Sequence, residues 1–515
     1  MTATPDQFDQ PIKRRVAILW NLIFSYGSLG IVLIRNIALF PLYLIYIDLN
    51  EFNGWAATGG ILIALTQIDF GLLGVITQQA AVAYGNRDRE KLARVLGTGL
   101  VCSAVLCLLL FAVIGLAAPW IPYAVGLRGA VATRVAWCFL IVAGSNSLQL
   151  LGYVAGGVMR SLQRPFIPGL LRLISESTAL GLSWYLVMHG WGLYAIAAGV
   201  VGRSVVELVG NITVFAWTSG KLQIRLRAER KFARELLTLS GFQFMTQIAR
   251  ALKLGIDPFL VGVFMPAPAA LIFTATLKAA ETVRLLIVQI PTAIAPSLSH
   301  LYGEGNTQRF RSMIFVMFRV QVAVSAIGSA GVIAFNHPFM ELWLRQSHAN
   351  VTDLFGGYLI SGLIGVWCFG TLASMASYEI LFTMGEFTRL SALLWLEQVV
   401  RIAGMIPFLL GGMLWGAPAV SLLAQAWALN WLQNKLLVQK AGLQRSDVWE
   451  IVWIHVRHMI TPIICIGLFM WLAPMPAGWI ELGLQAGVFC LICGIASMLL
   501  DRQFAQLIVR RGQFS

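Results

Sequence analysis

Fourteen apolar stretches, each long enough to cross a bilayer to within a few residues, follow one another along nearly the whole chain. They occupy 16–47, 56–82, 95–118, 131–158, 168–188, 192–218, 237–263, 269–298, 313–335, 355–383, 390–410, 418–437, 458–474 and 479–500. At about 1.5 Å of rise per residue, about 20 helical residues span a hydrocarbon core of about 30 Å. Lipid offers no hydrogen bonds, so the backbone of such a segment must satisfy itself, as a helix does. Only 12% of residues are charged and 58% are hydrophobic, against about 25% and about 45–50% in soluble domains. That leaves too little polar surface to coat a water-soluble body. The sequence predicts an all-α membrane protein of about 14 transmembrane helices. Its first stretch is too long for one straight crossing, and Pro41 is expected to bend or end it.

The formal charge of +14 does not point to nucleic acid, because the basic residues sit mainly in short loops and no basic stripe is interleaved with stacking aromatics. With the N-terminus inside, 25 Lys and Arg fall in loops on the cytoplasmic side, among them Arg89, Lys91, Lys221, Arg225, Arg227, Arg230 and Lys231. Only Arg128 and Arg345 fall on the other side. The positive-inside rule then puts both termini in the cytoplasm of an inner-membrane protein. Membrane lipids, through their anionic headgroups, are the expected partners of these loops.

The chain repeats itself weakly. Tyr84-Gly85-Asn86 follows the second stretch and Tyr302-Gly303-Glu304 the eighth, and the same offset sets Arg35 opposite Lys253. Six spans repeated in one orientation imply two six-helix lobes, related by a pseudo-twofold axis along the membrane normal, with a substrate cavity between them. Two C-terminal helices fall outside the repeat. The predicted organisation is a cytoplasmic segment 1–15, an N-terminal lobe 16–218, a linker 219–236 and a C-terminal lobe 237–437. A cytoplasmic loop 438–457, two further helices within 458–500 and a cytoplasmic tail 501–515 complete it.

Ten Lys and Arg lie within the spans, leaving aside Lys435 at the cytoplasmic edge of the twelfth. Each costs on the order of 2.5–3.5 kcal/mol at a helix centre on insertion scales, so they are expected to face partners or water. Arg172 and Glu176, Arg203 and Glu207, and Glu397 and Arg401 are four residues apart and are expected to pair along their helices. Arg134 and Arg319, near span ends, are expected to snorkel. Arg250, Lys253 and Asp257 share a face of the seventh span, and Lys278 and Glu281 a face of the eighth, with Arg284 a turn on. Arg35 has no acid within four positions, and Asp69 is its expected partner. Arg35, Arg250, Lys253, Lys278 and Arg284 outnumber Asp69, Asp257 and Glu281 by two. These five are the candidate substrate-binding residues, suited to an anion such as phosphate, and the three acids are candidates for ion coupling or charge balance. A fully neutralised structural network is the alternative.

All seven cysteines lie in apolar runs, and Cys490 and Cys493 have no second ligand pair, so neither metal nor cofactor is expected. No nucleotide loop or catalytic constellation is evident, and the loops are too short for a membrane glycosyltransferase or polymerase. The chain reads as a transporter and not an enzyme.

Ile68-Asp69-Phe70-Gly71-Leu72, then Tyr84-Gly85-Asn86-Arg87-Asp88, then Gly255-Ile256-Asp257-Pro258-Phe259-Leu260-Val261-Gly262 and Pro296-Ser297-Leu298-Ser299-His300-Leu301-Tyr302-Gly303 stand in a fixed order. Together they resemble the polysaccharide transporter branch, the flippases of lipid-linked oligosaccharide and O-antigen, of the MATE-type MOP flippase superfamily. The resemblance covers residues 16 to 500. It implies alternating access and a polyprenyl-pyrophosphate-linked oligosaccharide as cargo for cell-surface polysaccharide or lipopolysaccharide synthesis, with other polysaccharide-assembly membrane proteins as candidate partners. Drug-exporting relatives use membrane-embedded acids, so an ion-coupled multidrug or small-metabolite exporter is the alternative that Asp257 keeps open.

Overall fold

The computed structural model describes residues 14–66, 72–85, 88–161, 166–221, 224–291, 307–345 and 354–509, and the single positions 294, 298 and 302. Asp69 lies outside the described residues, as do Gly303, the paired Tyr-Gly motif's second half, and residues 304–306 after it. The described residues contain helices and no strand. Nine of the helices are long and apolar enough to cross a membrane. Where they are described, the other predicted stretches are helical too but polar or interrupted. The fifth carries Arg172, Ser175, Glu176, Ser177 and Thr178, and the seventh Arg250, Lys253 and Asp257. Polarity at those positions lowers the mean hydropathy of the stretch.

The chain divides into two compact units, Met1–Pro268 and Ala269–Ser515. In the first, α1 (Arg14–Tyr46) packs on α7 (Phe166–Met188), and α7 and α6 (Gly129–Ser161) both pack on α8 (Tyr194–Lys221). Helix α1 does not end at Pro41 but continues through it to Tyr46. The second stretch is described as α2 (Leu49–Thr66) and α3 (Leu72–Gly85), followed by α4 (Arg89–Ala117) and the single turn α5 (Ile121–Ala124). Helix α9 (Arg230–Phe264), which corresponds to the seventh stretch, packs on α2, α3 and α4 within this same unit. Ile76, Leu92, Leu96, Met159 and Phe215 form its apolar core.

Glycines set how closely these helices approach. A Cβ at Gly152 of α6 would lie 3.0 Å from the Cα of Leu208, and one at Gly156 would lie 2.9 Å from Asn211 Oδ1. On α8, a Cβ at Gly199 would run into the Ser183 hydroxyl and the Ala179 carbonyl of α7. Small residues at such crossings let backbones meet where no hydrophobic effect drives helices together. The segment 224–229 between α8 and α9 is pinned on α4 in the same way. Arg227 N–H donates to the Ala93 carbonyl at 3.3 Å and Glu229 N–H to Thr98 Oγ1 at 3.1 Å. A Cβ at Gly97 would meet the Arg227 backbone at 2.6 Å.

The second unit contains α10 (Ala269–Ile287), α11 (Thr307–Leu344), α12 (Tyr358–Thr383), α13 (Phe387–Leu410) and α14 (Gly416–Gln425). A π-helical stretch, Ala426–Leu432, joins α14 to α15 (Gln433–Lys440), and α16 (Arg445–Leu472), α17 (Trp479–Leu500) and α18 (Arg502–Val509) close the unit. Helix α11 is its centre, touching α10, α12, α16 and α17. Phe335, Phe469 and Phe489 meet edge-to-face at 5.2–5.8 Å and tie α11 to α16 and α17. Large apolar side chains such as Leu116, Trp471, Ile480 and Leu499 are exposed on the outside, as lipid-solvated surfaces require.

Filling the glycine crossings should cost about 1–3 kcal/mol each, as overpacking does. Gly97→Val and Gly199→Val are expected to lower the melting temperature in detergent, while Gly181→Val, with nothing within 4 Å, serves as control. Equal melting of all three variants would contradict the packing described.

Candidate functional site

Glu176 on α7 is the hinge of a polar group inside the first unit. Its Oε2 accepts from Arg35 Nη1 of α1 at 2.6 Å, and its Oε1 lies 3.6 Å from Arg203 Nη1 of α8. Two guanidiniums thus share one carboxylate. Arg203 is held by α6, since its Nη2 donates to Gln149 Oε1 at 3.1 Å and Asn146 Oδ1 at 3.3 Å. The Gln149 amide in turn donates to Glu207 of α8. Arg172 and Tyr153 lie within electrostatic reach of Glu207 or Arg203. Counting Arg172, three guanidiniums accompany two carboxylates. The arrangement follows from helical spacing. Arg203, Glu207 and Asn211 form one stripe of α8, and Gln149, Gly152 and Gly156 form the stripe of α6 that faces it.

This differs from the pairs that a spacing of four predicts. Glu176 bonds across to Arg35 and approaches Arg203, while Arg172 is exposed. Glu207 takes its hydrogen bond from Gln149 rather than from Arg203. A buried carboxylate is served best by whichever donor lies in the packed interface, and here that donor sits on a neighbouring helix. Asp69, the expected partner of Arg35, lies outside the described residues, and among the described residues the carboxylate that binds Arg35 is that of Glu176. In α13, Glu397 and Arg401 are both fully buried, with Gln398 bridging them at 3.2 and 2.6 Å.

The remaining candidates stand on two helices of different units. Arg250 and Lys253 are half-buried and Asp257 is buried on α9, in the first unit. On α10, in the second, Lys278 Nζ lies 2.8 Å from Glu281 Oε2, with Arg284 half-buried a turn further on. Among the described residues, no three of His, Cys, Asp and Glu come together as a metal site would need.

Arg134 keeps the half-exposed position expected near a span end, paired with Glu51. Arg319 does not snorkel. It is 5% exposed on α11 and bonds Glu450 of α16 and, at 3.1 Å, Asp501 before α18. Asp501 also caps α18 through Gln503 N–H and Phe504 N–H, and fully buried His458 lies 3.6 Å from it. Sequence reasoning read Glu176 and Arg203 only as members of pairs within their own helices, and it passed over Gln149 and Asn146. The facing stripes on α6 and α8 were the available signal, but a stripe declares its partner only once the helix pairing is known.

The sequence profile of the family described as Polysaccharide biosynthesis protein matches residues 53–352. No curated protein sequence matches the chain. Among solved structures, the lipid II flippase MurJ in an inward closed conformation superposes with a TM-score of 0.71 at 14% identity, over 95% of this chain and 100% of that one. An inward-facing multidrug resistance MATE family transporter of the MOP superfamily gives 0.62 at 14% identity, over 81% and 96%. A MOP superfamily transporter from Pyrococcus furiosus, described by the reverse polarity of its binding pocket, gives 0.61 at 14% identity, over 85% and 99%. The chain therefore has the fold these proteins share, and it is a multi-pass membrane protein.

Removing one partner of a buried ion pair leaves the other uncompensated, at about 3–5 kcal/mol. Arg319→Leu should therefore lower the stability of the detergent-solubilised protein by that order, and Arg319→Leu with Asp501→Asn should recover part of the loss. Chemical denaturation of the two variants checks this, and a double variant no better than the single one would contradict the pairing.

Proposed function

Because the chain belongs to the polysaccharide biosynthesis protein family, we propose that it is a flippase which carries a polyprenyl-pyrophosphate-linked oligosaccharide from the cytoplasmic to the outer leaflet. The observation that carries this reading is the pair of guanidiniums on the single carboxylate of Glu176. In a span, such surplus cationic capacity suits an anion, and Arg matches phosphate oxygens with two parallel N–H bonds. The likeness to the lipid II flippase MurJ supports a lipid-linked cargo.

In this proposal Arg35 binds the pyrophosphate, and Arg250, Lys253, Lys278 and Arg284 are further anion-binding groups. Asp257 and Glu281 balance their charge. Asp69 keeps its proposed charge-balancing role without a described position. The protein works as a transporter by alternating access in the inner membrane, with both termini cytoplasmic. A second reading, an ion-coupled exporter of organic cations, is favoured by one observation: the carboxyl of Asp257 is buried in α9.

Arg35→Ala combined with Lys253→Ala should reduce surface polysaccharide in the native host about tenfold or more, the order expected where anion affinity falls by about 1.4 kcal/mol and limits export. Arg35→Lys should retain part of the export, since it keeps the charge and loses the fork. Unchanged export in the double variant would remove the assignment. Resistance to cationic dyes that disappears with Asp257→Asn would establish the second reading instead. The topology is checked separately: fluorescent protein fused to the C-terminus should fluoresce, and a periplasm-dependent phosphatase fused there should be inactive.

A further inference from the structure

We infer that Glu176 is a built-in competitor for the cationic site, occupying Arg35 when no cargo anion is bound, and that Arg203 is the positioning residue which receives Glu176 when an anion displaces it. The inference rests on the proposed pyrophosphate-binding role of Arg35 and goes on to say how that site empties and fills.

The two oxygens of Glu176 are engaged unequally. Oε2 sits 2.6 Å from Arg35 Nη1, a made bond, whereas Oε1 is 3.6 Å from Arg203 Nη1, beyond hydrogen-bond range. The second contact is therefore an ion pair poised one small movement short of a hydrogen bond. Arg203 has the donors to complete it. Guanidinium carries five N–H donors, Asn146 and Gln149 take only Nη2, and the Arg203 Nε is buried with no hydrogen-bond partner. Gln149 is itself anchored on Glu207, so Arg203 is held as a fixed recipient.

Accessibility runs in the direction an exchange requires. The Arg35 side chain is 21% exposed and that of Glu176 is 8% exposed. The exchange has an incoming anion meet the part of the guanidinium that the protein leaves uncovered, while the displaced carboxylate stays buried. A buried carboxylate stripped of its counter-cation is strongly penalised, so Arg35 could not give up Glu176 to a phosphate unless a second cation stood beside it. Arg203 stands there. Cargo and carboxylate thus exchange places on Arg35 without leaving a buried charge bare. The same competition returns Arg35 to Glu176 and helps expel the cargo.

Competition makes a quantitative demand. If Glu176 occupies Arg35 about nine-tenths of the time, the apparent dissociation constant for an anion is raised about tenfold over that of the unoccupied site. The probe is inorganic pyrophosphate, titrated calorimetrically into the purified full-length protein in detergent. Glu176→Gln should bind it about tenfold more tightly than the wild type. Arg203→Gln should bind it several-fold more weakly, because Glu176 then has nowhere to go. In the double variant the Arg203→Gln penalty should vanish, since no carboxylate remains to be received. A merely structural Arg203 would keep its penalty in that background. Should Glu176→Gln fail to elute as a folded species, Glu176→Asp, whose shorter arm draws back from Arg35, must show the same tightening. Binding that is lost in Arg35→Ala but not tightened by either Glu176 substitution overturns the exchange while leaving the anion site standing. Binding absent from the wild type, or equal in the wild type and Arg35→Ala, overturns both.

Discussion

A carboxylate inside a membrane protein must be neutralised by something within reach of its own short side chain. Glu176 obeys this with two guanidiniums from two other helices, and the packing of α1, α7 and α8 follows from it. The helices could not separate without leaving a charge in hydrocarbon, where even a single ionised group costs several kcal/mol. Glycine makes the contact possible. With side chains at 152, 156 and 199, α6, α7 and α8 would stand too far apart for Gln149 to reach both Arg203 and Glu207. Small residues and buried charges are one device in this unit: the first brings backbones together and the second fixes which faces meet.

The second unit solves the same problem at a different place. Arg319, Asp501, Glu450 and His458 gather where α11, α16 and the start of α18 converge. Asp501 serves at once as counter-ion and helix cap, and Phe504 packs against His458 with ring centroids 5.1 Å apart. A short terminal helix of this kind has too few residues to hold itself in place. Its position comes from the buried charge of Asp501, which caps its start.

Much of the architecture was legible in the sequence because it depends on one-dimensional facts. The length of apolar runs and the scarcity of charge are enough to specify an all-α membrane fold, and four short motifs standing in a fixed order were enough to suggest the family. The site was legible only in part. Arg35 stood out because it lacked a nearby acid, and it does lie in a charged cluster. Its partner could not be found by counting along the chain, because Glu176 is 141 positions away. The rule of four failed at Arg172 and Arg203 for the same reason. It describes an isolated helix, whereas these side chains choose among donors on three. Arg319 was misjudged because nearness to a span end says nothing of what covers that end.

The segment 224–229 has a mechanical meaning. Connections of this length ordinarily absorb insertions at little cost, since loop entropy changes slowly with length. This one is fastened to α4 at Arg227 and Glu229, immediately ahead of the first turn of α9. It behaves as a bracket and not as slack rope. One inserted residue would break the register of those bonds and shift the starting point of a 35-residue helix, so the chain should tolerate length variation here far less readily than its surface position suggests.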